Sequence, residues 1–232
     1  MACLLSIETS TSVCSVAVSL DGKLFTERIS FDGPSHAALL GVFVEEVLIQ
    51  LKEASIALDA VAVSGGPGSY TGLRIGVSLA KGLCFGYGIP LISLSTLEVM
   101  ASRVIREKQE AEALYCAMLD ARRMEVYAAV YDVHLQAVRG VAADIVTSET
   151  YAPYLTDKKV WFLGNGAAKC KEAIASPNAA FVDDIHPLAT EMIPLAEKAF
   201  QDKRFENVAY YEPFYLKEFI ATIPKNKVLG GF

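Results

Sequence analysis

The sequence has no hydrophobic run long enough to cross a membrane, although it is rich in apolar residues. Apolar residues make up 53% of the 232 residues and charged residues 21%, which is typical of a folded globular chain. The most apolar segment, residues 82–96, contains Pro90 and is shorter than the ~18 residues that a spanning helix needs. No basic region opens the chain, and Glu8 interrupts its first apolar stretch. We therefore expect no signal peptide, no membrane association and a cytoplasmic location.

Paired cysteines are also absent. Five cysteines are scattered along the chain, and none belongs to a CxxC motif: Cys3, Cys14, Cys84, Cys116 and Cys170. An odd number of widely spaced cysteines does not form a disulfide framework. We expect reduced, mostly buried thiols.

Histidine is scarce, which argues against a metal-dependent enzyme. The three histidines, His36, His134 and His186, are far apart and form no i,i+4 pair. A divalent metal site with nitrogen and oxygen ligands needs several converging imidazole or carboxylate groups. The motifs HExxH and GxSxG do not occur either. We expect no metal site, and we expect each histidine to lie at the surface or at a helix end.

Positive charge is in deficit, since the formal net charge is −6. Such a chain is a poor candidate to hold RNA alone. Arg122 and Arg123 either bind a phosphate or pair with nearby acids such as Glu125. The tail carries further lysines that either contact RNA or a partner or lie in a disordered tail: Lys217, Lys225 and Lys227.

The most informative segment is residues 61–88, where a short apolar strand meets a glycine-rich turn and a long helix. Small residues recur there at every fourth position and form one stripe along a predicted helix, residues 69–88: Gly68, Gly72, Gly76, Ala80, Cys84 and Gly88. Each glycine costs a helix interior about 0.5–1 kcal/mol relative to alanine, so the stripe must allow another backbone to approach closely. Two interpretations stay open, namely tight packing within the chain and docking of a partner helix.

Strands and helices alternate through the rest of the first half. Apolar runs predict strands at residues 4–7, 13–20, 24–29, 61–63 and 91–94. Asp21 and Gly22 predict a hairpin. Helical periodicity predicts a helix over residues 35–52, with Ser35 as its cap, and another from Ser95 or Thr96 to about Lys108.

The second half repeats this pattern in reduced form. The apolar run at residues 114–119 ends in Asp120 as the first strand ends in Glu8, at an offset of 120 − 8 = 112 residues. Further strands are predicted at 125–131 and 160–163, with one or two more within 135–146, and a helix at 189–201. We therefore predict an α/β protein with two lobes, residues 1–108 and 109–232, of which the second is reduced.

Three motifs resemble the TsaB (YeaZ) family. They are Ile7-Glu8-Thr9-Ser10, the run from Gly66 to Gly76, and Asp120-Ala121-Arg122-Arg123 followed by Glu125-Val126-Tyr127. The resemblance implies the actin-like, sugar-kinase and Hsp70 ATPase fold, which is built from two such lobes. It also implies a role in forming threonylcarbamoyladenosine beside the anticodon of tRNAs that read codons starting with A.

The resemblance further implies a non-catalytic partner of the threonylcarbamoyltransferase TsaD, with the ATPase TsaE joining the complex. TsaD-type relatives carry a metal-binding histidine pair, but the corresponding residues 93–100 here contain no histidine. We expect the two helices of the first lobe to pair with TsaD, or with a second copy in isolation, through these residues: His36, Leu39, Leu40, Phe43, Gly68, Ser69, Tyr70, Thr71, Gly72, Arg74, Gly76, Ala80 and Lys81.

A nucleotide site is the remaining question. In the actin-like fold an acid at the end of the first strand positions a metal-bound phosphate, and glycine turns hold phosphate and adenosine. The corresponding residues form a candidate site, expected to be vestigial: Glu8, Thr9, Ser10, Asp120, Gly164 and Gly166. The GxxxxGK[ST] pattern is absent, and no cofactor is certain, although ATP or ADP within the complex stays open. The alternatives are an ATP-dependent small-molecule kinase and, less favoured, a metallopeptidase.

Overall fold

The structure is a computed structural model that describes residues 2–33 and 36–216. The predicted helix cap Ser35 and the tail lysines at 217, 225 and 227 lie outside the described residues.

The first sheet has five strands in the order β3-β2-β1-β4-β5. The strands are β1 (Cys3–Glu8), β2 (Cys14–Leu20), β3 (Lys23–Ser30), β4 (Ala60–Gly66) and β5 (Leu91–Ser95). β1, β4 and β5 are parallel, whereas β2 and β3 form the predicted hairpin. Asp21 and Gly22 both have positive φ, 47° and 74°, as a two-residue hairpin turn requires.

Two long helices cover the outer face of this sheet. α1 (His36–Glu53) and α2 (Tyr70–Tyr87) pack apolar residues such as Val44 and Val77 against the strands. The predicted ends of α2 are confirmed, because the Ser69 hydroxyl accepts a hydrogen bond from the Gly72 N–H at 3.2 Å and Gly88 ends the helix at φ 67°.

The second sheet repeats the first. β6 (Leu114–Asp120), β7 (Glu125–Tyr131), β8 (Ala137–Ile145), β9 (Val160–Leu163) and β10 (Ala179–Val182) form the order β10-β9-β6-β7-β8. Read from its other edge, this order is the same as that of the first sheet. The predicted duplication is therefore confirmed, and the chain has the actin-like, sugar-kinase and Hsp70 ATPase fold.

The second lobe is reduced in its helices. Its outer face is covered by the four-residue helix α4 (Ala152–Leu155) and the 3₁₀ turn Ala168–Cys170, where the first lobe has two helices of 18 residues. The glycine-rich residues 164–167 that follow β9 lead only into this single turn, whereas residues 65–68 after β4 lead into the long helix α2.

Two further helices form a layer between the sheets. α3 (Thr96–Lys108) packs on β6 through Leu97 and Met100, whereas α5 (Ala189–Gln201) packs on the first sheet through Met192 and Leu195. Arg106 joins the two helices through an ion pair with Glu191 at 2.5 Å. α5 thus follows the second sheet in sequence but completes the core of the first.

The chain then returns along the first lobe. Residues 204–216, which we call the C-terminal strap, begin at the edge strand β5, where the Glu206 N–H donates to the Leu91 carbonyl oxygen at 2.8 Å. They end beside the start of α2, where the Tyr215 and Tyr70 rings lie 4.7 Å apart.

Candidate functional site

The first glycine turn is packed against the loop that follows β1. A Cβ at Gly68 would overlap the Ser10 carbonyl oxygen, and one at Gly72 would overlap the Thr9 carbonyl oxygen. Two hydrogen bonds hold the same contact, from the Ser69 N–H to Ser10 O at 2.7 Å and from the Thr9 hydroxyl to Gly72 O at 2.8 Å. The glycines therefore allow a close approach within the chain.

This packing corrects the predicted partner interface. Five of its members are buried in the chain's own core: His36, Leu40, Gly72, Gly76 and Ala80. A Cβ at Gly76 would overlap the Thr9 hydroxyl. Helical periodicity placed the small residues on one face correctly, but that face points inward, because the β1–β2 loop occupies the space beside it.

His36 belongs to the same internal contact. Its ring is buried, and Nε2 lies 2.7 Å from the Thr11 carbonyl oxygen. A carbonyl oxygen only accepts, so Nε2 carries the proton. His36 thus starts α1, as expected for a helix-end histidine, but it fixes the β1–β2 loop rather than lying at the surface.

Glu8 lies at the centre of the candidate phosphate site and is fully buried. Its Oε1 accepts a hydrogen bond from the Ser10 N–H at 2.6 Å, and Oε2 has no hydrogen-bond partner among the described residues. Burial raises the pKa of the Glu8 carboxyl, and the hydrogen bonds to Ser10 only partly oppose this effect. A carboxyl that is fully buried in this way is poorly suited to position a metal-bound phosphate.

Asp120, the second predicted acid, is bound by the chain's own lysine. Lys169 Nζ donates to Asp120 Oδ1 at 2.5 Å and to the carbonyl oxygens of Arg123 and Glu125 at 2.7 and 2.6 Å. The Arg122 N–H also donates to Asp120 Oδ1, at 2.9 Å. Lys169 therefore occupies the position beside Asp120 that a cation would need.

The two acids do not occupy equivalent positions. Side chains alternate between the faces of a strand, so Glu8 shares a face with Ser6, and Asp120 shares one with Met118 in the outer core of its lobe. Six residues separate Glu8 from its strand partner Ser15, but five separate Asp120 from Val126. The predicted alignment at an offset of 112 is therefore wrong by one residue in this strand.

The second glycine turn also packs closely against its own lobe. A Cβ at Gly164, which has φ +95°, would overlap the Met118 carbonyl oxygen, and one at Gly166 would lie 2.8 Å from the Leu119 carbonyl carbon. The Asp120 N–H donates to Asn165 Oδ1 at 2.9 Å. Each glycine turn thus serves the packing of its own lobe.

The exposed side of α1 and α2 carries an apolar surface, which we call the outer helix face. Four of its side chains are strongly exposed: Val42 at 47%, Ile49 at 49%, Phe85 at 87% and Tyr87 at 58%. A Cβ at Gly41, Gly82 or Gly86 would meet open space. A groove of about 830 Å³ runs between the second half of α1, residues 56–58 and Tyr87. Exposed apolar side chains and an apolar groove on one pair of helices are typical of an interaction site.

The sequence prediction found only part of this face. Thr71 and Arg74 are exposed and Leu39 and Phe43 are half-buried, whereas the strongly exposed apolar residues were missed. Val42 and Ile49 lie seven residues apart on α1, which is two helical turns, on the side opposite the buried positions. This spacing was the sequence signal for an exposed apolar face.

Two predicted interface cations have partners within the chain. Lys81 Nζ donates to the carbonyl oxygens of Ala209 and Tyr211 in the strap, at 3.3 and 2.8 Å. The Arg74 guanidinium lies 5.3 Å from the centre of the Tyr70 ring. Lys81 therefore holds the strap on α2.

The strap is fixed at two further points. The Tyr211 hydroxyl lies 2.5 Å from the Ser93 hydroxyl, and the Phe214 N–H donates to the Gly65 carbonyl oxygen at 2.7 Å. It therefore covers the carboxyl ends of β4 and β5, beside the first glycine turn.

The remaining expectations concern metals, thiols and the membrane. Within residues 2–33 and 36–216, no group of three or more histidine, cysteine, aspartate or glutamate residues is placed to hold a metal ion. All five cysteines are free and buried, as predicted. In this described part of the chain, no helix is both long enough and apolar enough to span a bilayer.

Comparisons with known proteins identify the family. A sequence profile described as TsaD, tRNA N6-adenosine threonylcarbamoyltransferase, matches residues 33–225. The tRNA threonylcarbamoyladenosine biosynthesis protein TsaB of Escherichia coli is 28% identical over 94% of this chain and 96% of its own length. The Bacillus subtilis TsaB protein is 30% identical over 74% of each chain.

The chain belongs to the TsaB family. A solved structure, YeaZ from Pseudomonas aeruginosa, is similar to it with a TM-score of 0.78 and 28% identity, over 93% of this chain and all of that one. TsaB proteins take part in the biosynthesis of threonylcarbamoyladenosine in tRNA.

Proposed function

We propose that this chain is a non-catalytic partner of the threonylcarbamoyltransferase TsaD and that it binds TsaD through the outer helix face. The observation that carries the proposal is the exposed apolar surface of α1 and α2, with Phe85 at 87% exposure. Hot spots of protein interfaces are commonly large apolar or aromatic side chains that become buried on binding. In this proposal the first lobe is the partner-binding lobe, and the second sheet forms the reduced lobe; the expected division into residues 1–108 and 109–232 is corrected by α5 and the strap, which pack on the first lobe.

The surroundings of the two candidate acids, Glu8 and Asp120, support a non-catalytic role. Glu8 is buried, and burial raises the pKa of its carboxyl. Lys169 Nζ donates a hydrogen bond to Asp120 Oδ1. Glu8 is thus shielded from solvent, and Lys169 competes with a metal ion for Asp120. The groups that would carry the transfer chemistry therefore belong to the partner, and any ATP or ADP in the complex contacts residues of other subunits.

In this proposal TsaE joins the TsaD complex, and tRNA contacts this chain only through it. A second copy of the chain binds the same face when TsaD is absent, since paired apolar helix faces in water associate as four-helix bundles. The complex acts on tRNA and so works in the cytoplasm.

A reconstitution assay tests the proposal. Threonylcarbamoyladenosine is measured on unmodified tRNA with threonylcarbamoyl-adenylate, TsaD and TsaE, with this chain present or omitted. We expect product only when the chain is present, and none when it is the sole protein. Product formation that is equal without the chain would exclude the partner role.

Matched variants test the face. Val42→Glu and Phe85→Glu place a charge in the outer helix face, whereas Ile145→Glu places one at an exposed apolar position of β8, at 72% exposure. Loss of a hot spot costs about 2 kcal/mol, or roughly a 30-fold loss of affinity for TsaD. We expect this loss for the first two variants only. Equal affinity of all three would assign TsaD binding to another surface.

A calorimetric titration addresses the kinase alternative. ATP with Mg²⁺ is titrated into the chain alone, and we expect no affinity tighter than millimolar because Lys169 binds Asp120 and both glycine turns pack against their own lobes. Micromolar binding with ATP turnover would favour the kinase.

A further inference from the structure

The β6–β7 turn presents two adjacent arginines to solvent. Arg122 and Arg123 are both exposed and follow Asp120 at the carboxyl end of β6. Within residues 2–33 and 36–216, neither guanidinium group forms an ion pair or a hydrogen bond. Of the two interpretations of these arginines, pairing with nearby acids such as Glu125 is therefore not found in this part of the chain.

Both arginines have a backbone conformation that residues with a side chain rarely adopt. The φ angles are 71° at Arg122 and 49° at Arg123. Glycine, asparagine and aspartate adopt this left-handed region at lower cost, so the needs of a tight turn do not explain two arginines here. Residues held in such conformations cluster at functional sites.

Backbone hydrogen bonds hold the turn in this conformation. The Ala121 N–H donates to the Glu125 carbonyl oxygen, and the Glu125 N–H donates to the Arg122 carbonyl oxygen, both at 3.1 Å. The Arg122 N–H donates to Asp120 Oδ1 at 2.9 Å. The two guanidinium groups are thus presented from a fixed backbone, which lowers the entropy lost when a ligand binds them.

Lys169 sets the charge of this surface. Its Nζ donates to Asp120 Oδ1 and to the carbonyl oxygens of Arg123 and Glu125, and an ammonium group has three donors in all. The charge of Asp120 is therefore balanced within the chain. Together with Glu125 and the two arginines, these groups have a net charge of 3 − 2 = +1, in a chain of net charge −6. The turn is a local positive surface.

The chemistry of this surface suits the backbone of a nucleic acid. The planar fork of a guanidinium group matches phosphate oxygens and binds them through two hydrogen bonds. TsaB proteins take part in the biosynthesis of threonylcarbamoyladenosine in tRNA, so tRNA is the polyanion on which such a complex acts. We propose that Arg122 and Arg123 bind backbone phosphates of the tRNA that the TsaD complex holds.

This inference rests on the proposed function and deepens it. The chain alone is acidic and a poor RNA binder, so the two arginines add to a tRNA site that the complex provides. Phosphate contacts fix the position and orientation of a nucleic acid and do not read its sequence. The turn therefore orients the tRNA, whereas the transfer chemistry belongs to the partner.

A salt series on matched variants tests the contact. Unmodified tRNA with a fluorescent label is titrated into the complex with TsaD and TsaE at several KCl concentrations, and its anisotropy gives the affinity. Arg122→Gln with Arg123→Gln removes both charges of the turn. Lys158→Gln with Lys159→Gln is the matched control, because it removes two adjacent exposed charges at the amino end of β9. β9 is parallel to β6, so these lysines lie at the opposite end of the same sheet.

The expected loss follows from counterion release. Each phosphate contact changes the slope of log K against log salt concentration by about 0.7–0.9. The arginine variant should therefore have a slope shallower by about 1.6 and, at about 0.1 M salt, a roughly 40-fold weaker affinity for tRNA. The lysine variant should bind tRNA as the native complex does. Equal affinity of the native complex and the arginine variant, or an equal loss in the lysine variant, would overturn the proposal.

A conservative variant tests the role of the fork. Arg122→Lys with Arg123→Lys keeps both charges, so it should keep the native salt slope. It should still bind tRNA several-fold more weakly, because an ammonium group lacks the bidentate geometry. A slope as shallow as that of the glutamine variant would show that charge at this turn does not contact phosphate.

The affinity for TsaD without tRNA separates the two proposals. The turn belongs to the second lobe and the outer helix face to the first, so the arginine-to-glutamine variant should bind TsaD as the native chain does. Loss of TsaD binding in this variant would assign the turn to an acidic protein surface and overturn the RNA contact. If the native chain itself does not bind TsaD, the proposed function fails.

Titration into the isotope-labelled chain alone then decides on the phosphate contact. At about 20 mM salt, where screening is weak, unmodified tRNA should shift the amide signals of residues 121–125 in the native chain and not in the arginine-to-glutamine variant. Absence of these shifts would overturn the proposal. The same shifts with inorganic phosphate at equal concentration would assign the turn to a free phosphate ligand and would also overturn it.

Discussion

The Thr9 carbonyl oxygen fills the space that a side chain at position 72 would need. Thr9 follows the first strand and Gly72 lies in the first turn of α2, so the contact joins residues 63 positions apart. It fixes the β1–β2 loop on the helix and explains why small residues recur along α2.

This contact predicts opposite effects of alanine at two glycines of the same helix. Gly72→Ala forces Thr9 away, and overpacking of this kind costs about 1–3 kcal/mol of unfolding free energy. Gly82→Ala meets no atom within 4 Å and should stabilise the chain by about 0.5–1 kcal/mol, because alanine is the better helix former. Urea unfolding of both variants measures the difference. Destabilisation of the same size by both would show that the Thr9 contact is not what constrains Gly72.

Glu8 predicts a pH dependence of stability with a definite sign. Burial raises its pKa in the folded chain above the ordinary value of 4.5, so the folded state binds this proton more tightly than the unfolded state does. Its stabilising contribution is complete below pH 4.5 and is lost as the pH rises through the folded pKa.

Comparison with Glu8→Gln isolates this effect, because the two proteins share all other titrating groups. As the pH rises above 4.5, we expect the native chain to lose stability relative to Glu8→Gln. The unfolding free energy of the variant minus that of the native chain should rise by at most about 1.4 kcal/mol per pH unit. Chemical denaturation between pH 4 and 8 measures this gain. A difference that does not change with pH would mean that Glu8 keeps its ordinary pKa on folding.

A buried ion pair in the second lobe gives a third prediction. Arg139 contacts both oxygens of Asp144, which is 8% exposed, and the Tyr151 hydroxyl donates to Asp144 Oδ2 at 2.7 Å. Arg139→Leu leaves this carboxylate buried without its cation, which costs about 3–5 kcal/mol. Tyr151→Phe removes one neutral donor to a charged group and costs about 1.5–3 kcal/mol.

The exposed pair of Lys171 and Asp183, at 2.8 Å, serves as the control. Lys171→Leu should change the unfolding free energy by less than about 1 kcal/mol. Thermal and urea unfolding rank the three variants. If Arg139→Leu ranked with Lys171→Leu, the buried pair would contribute no more than a surface pair.

The ends of several elements could be predicted from the sequence because local signals set them. Ser69 and Gly88 bracket α2 as its caps, and β7, β9 and α5 begin and end where their apolar patterns do. β10 escaped prediction, since its four half-buried residues show no alternation.

The outward side of α2 could not be predicted, because it depends on a contact that is distant in sequence. Periodicity shows which residues share a face, but the loop at Thr9 and Ser10 decides that the small residues face inward. In the same way, the β6–β7 turn is one residue shorter than the β1–β2 turn. Asp120 therefore lies on the outer face of its sheet, whereas Glu8 lies on the inner face of the first sheet. Both errors concern the candidate site, where the packing of separate segments decides the geometry.

Lys81 gives the last prediction, on the strap. Its ammonium group donates to two strap carbonyl oxygens, so Lys81→Met should loosen residues 204–216 without unfolding the lobes. Loss of about 1 kcal/mol corresponds to roughly fivefold faster hydrogen exchange at the Glu206 and Phe214 amides, which bond to Leu91 and Gly65.

Arg74→Met is the matched control, since Arg74 lies on the same helix and contacts Tyr70 instead of a strap carbonyl oxygen. It should leave exchange at the Glu206 amide unchanged. Equal exchange in the native chain and in Lys81→Met would mean that Tyr211, Phe214 and the β5 edge hold the strap by themselves. Faster exchange in Lys81→Met alone would make this lysine the link between α2 and the strap.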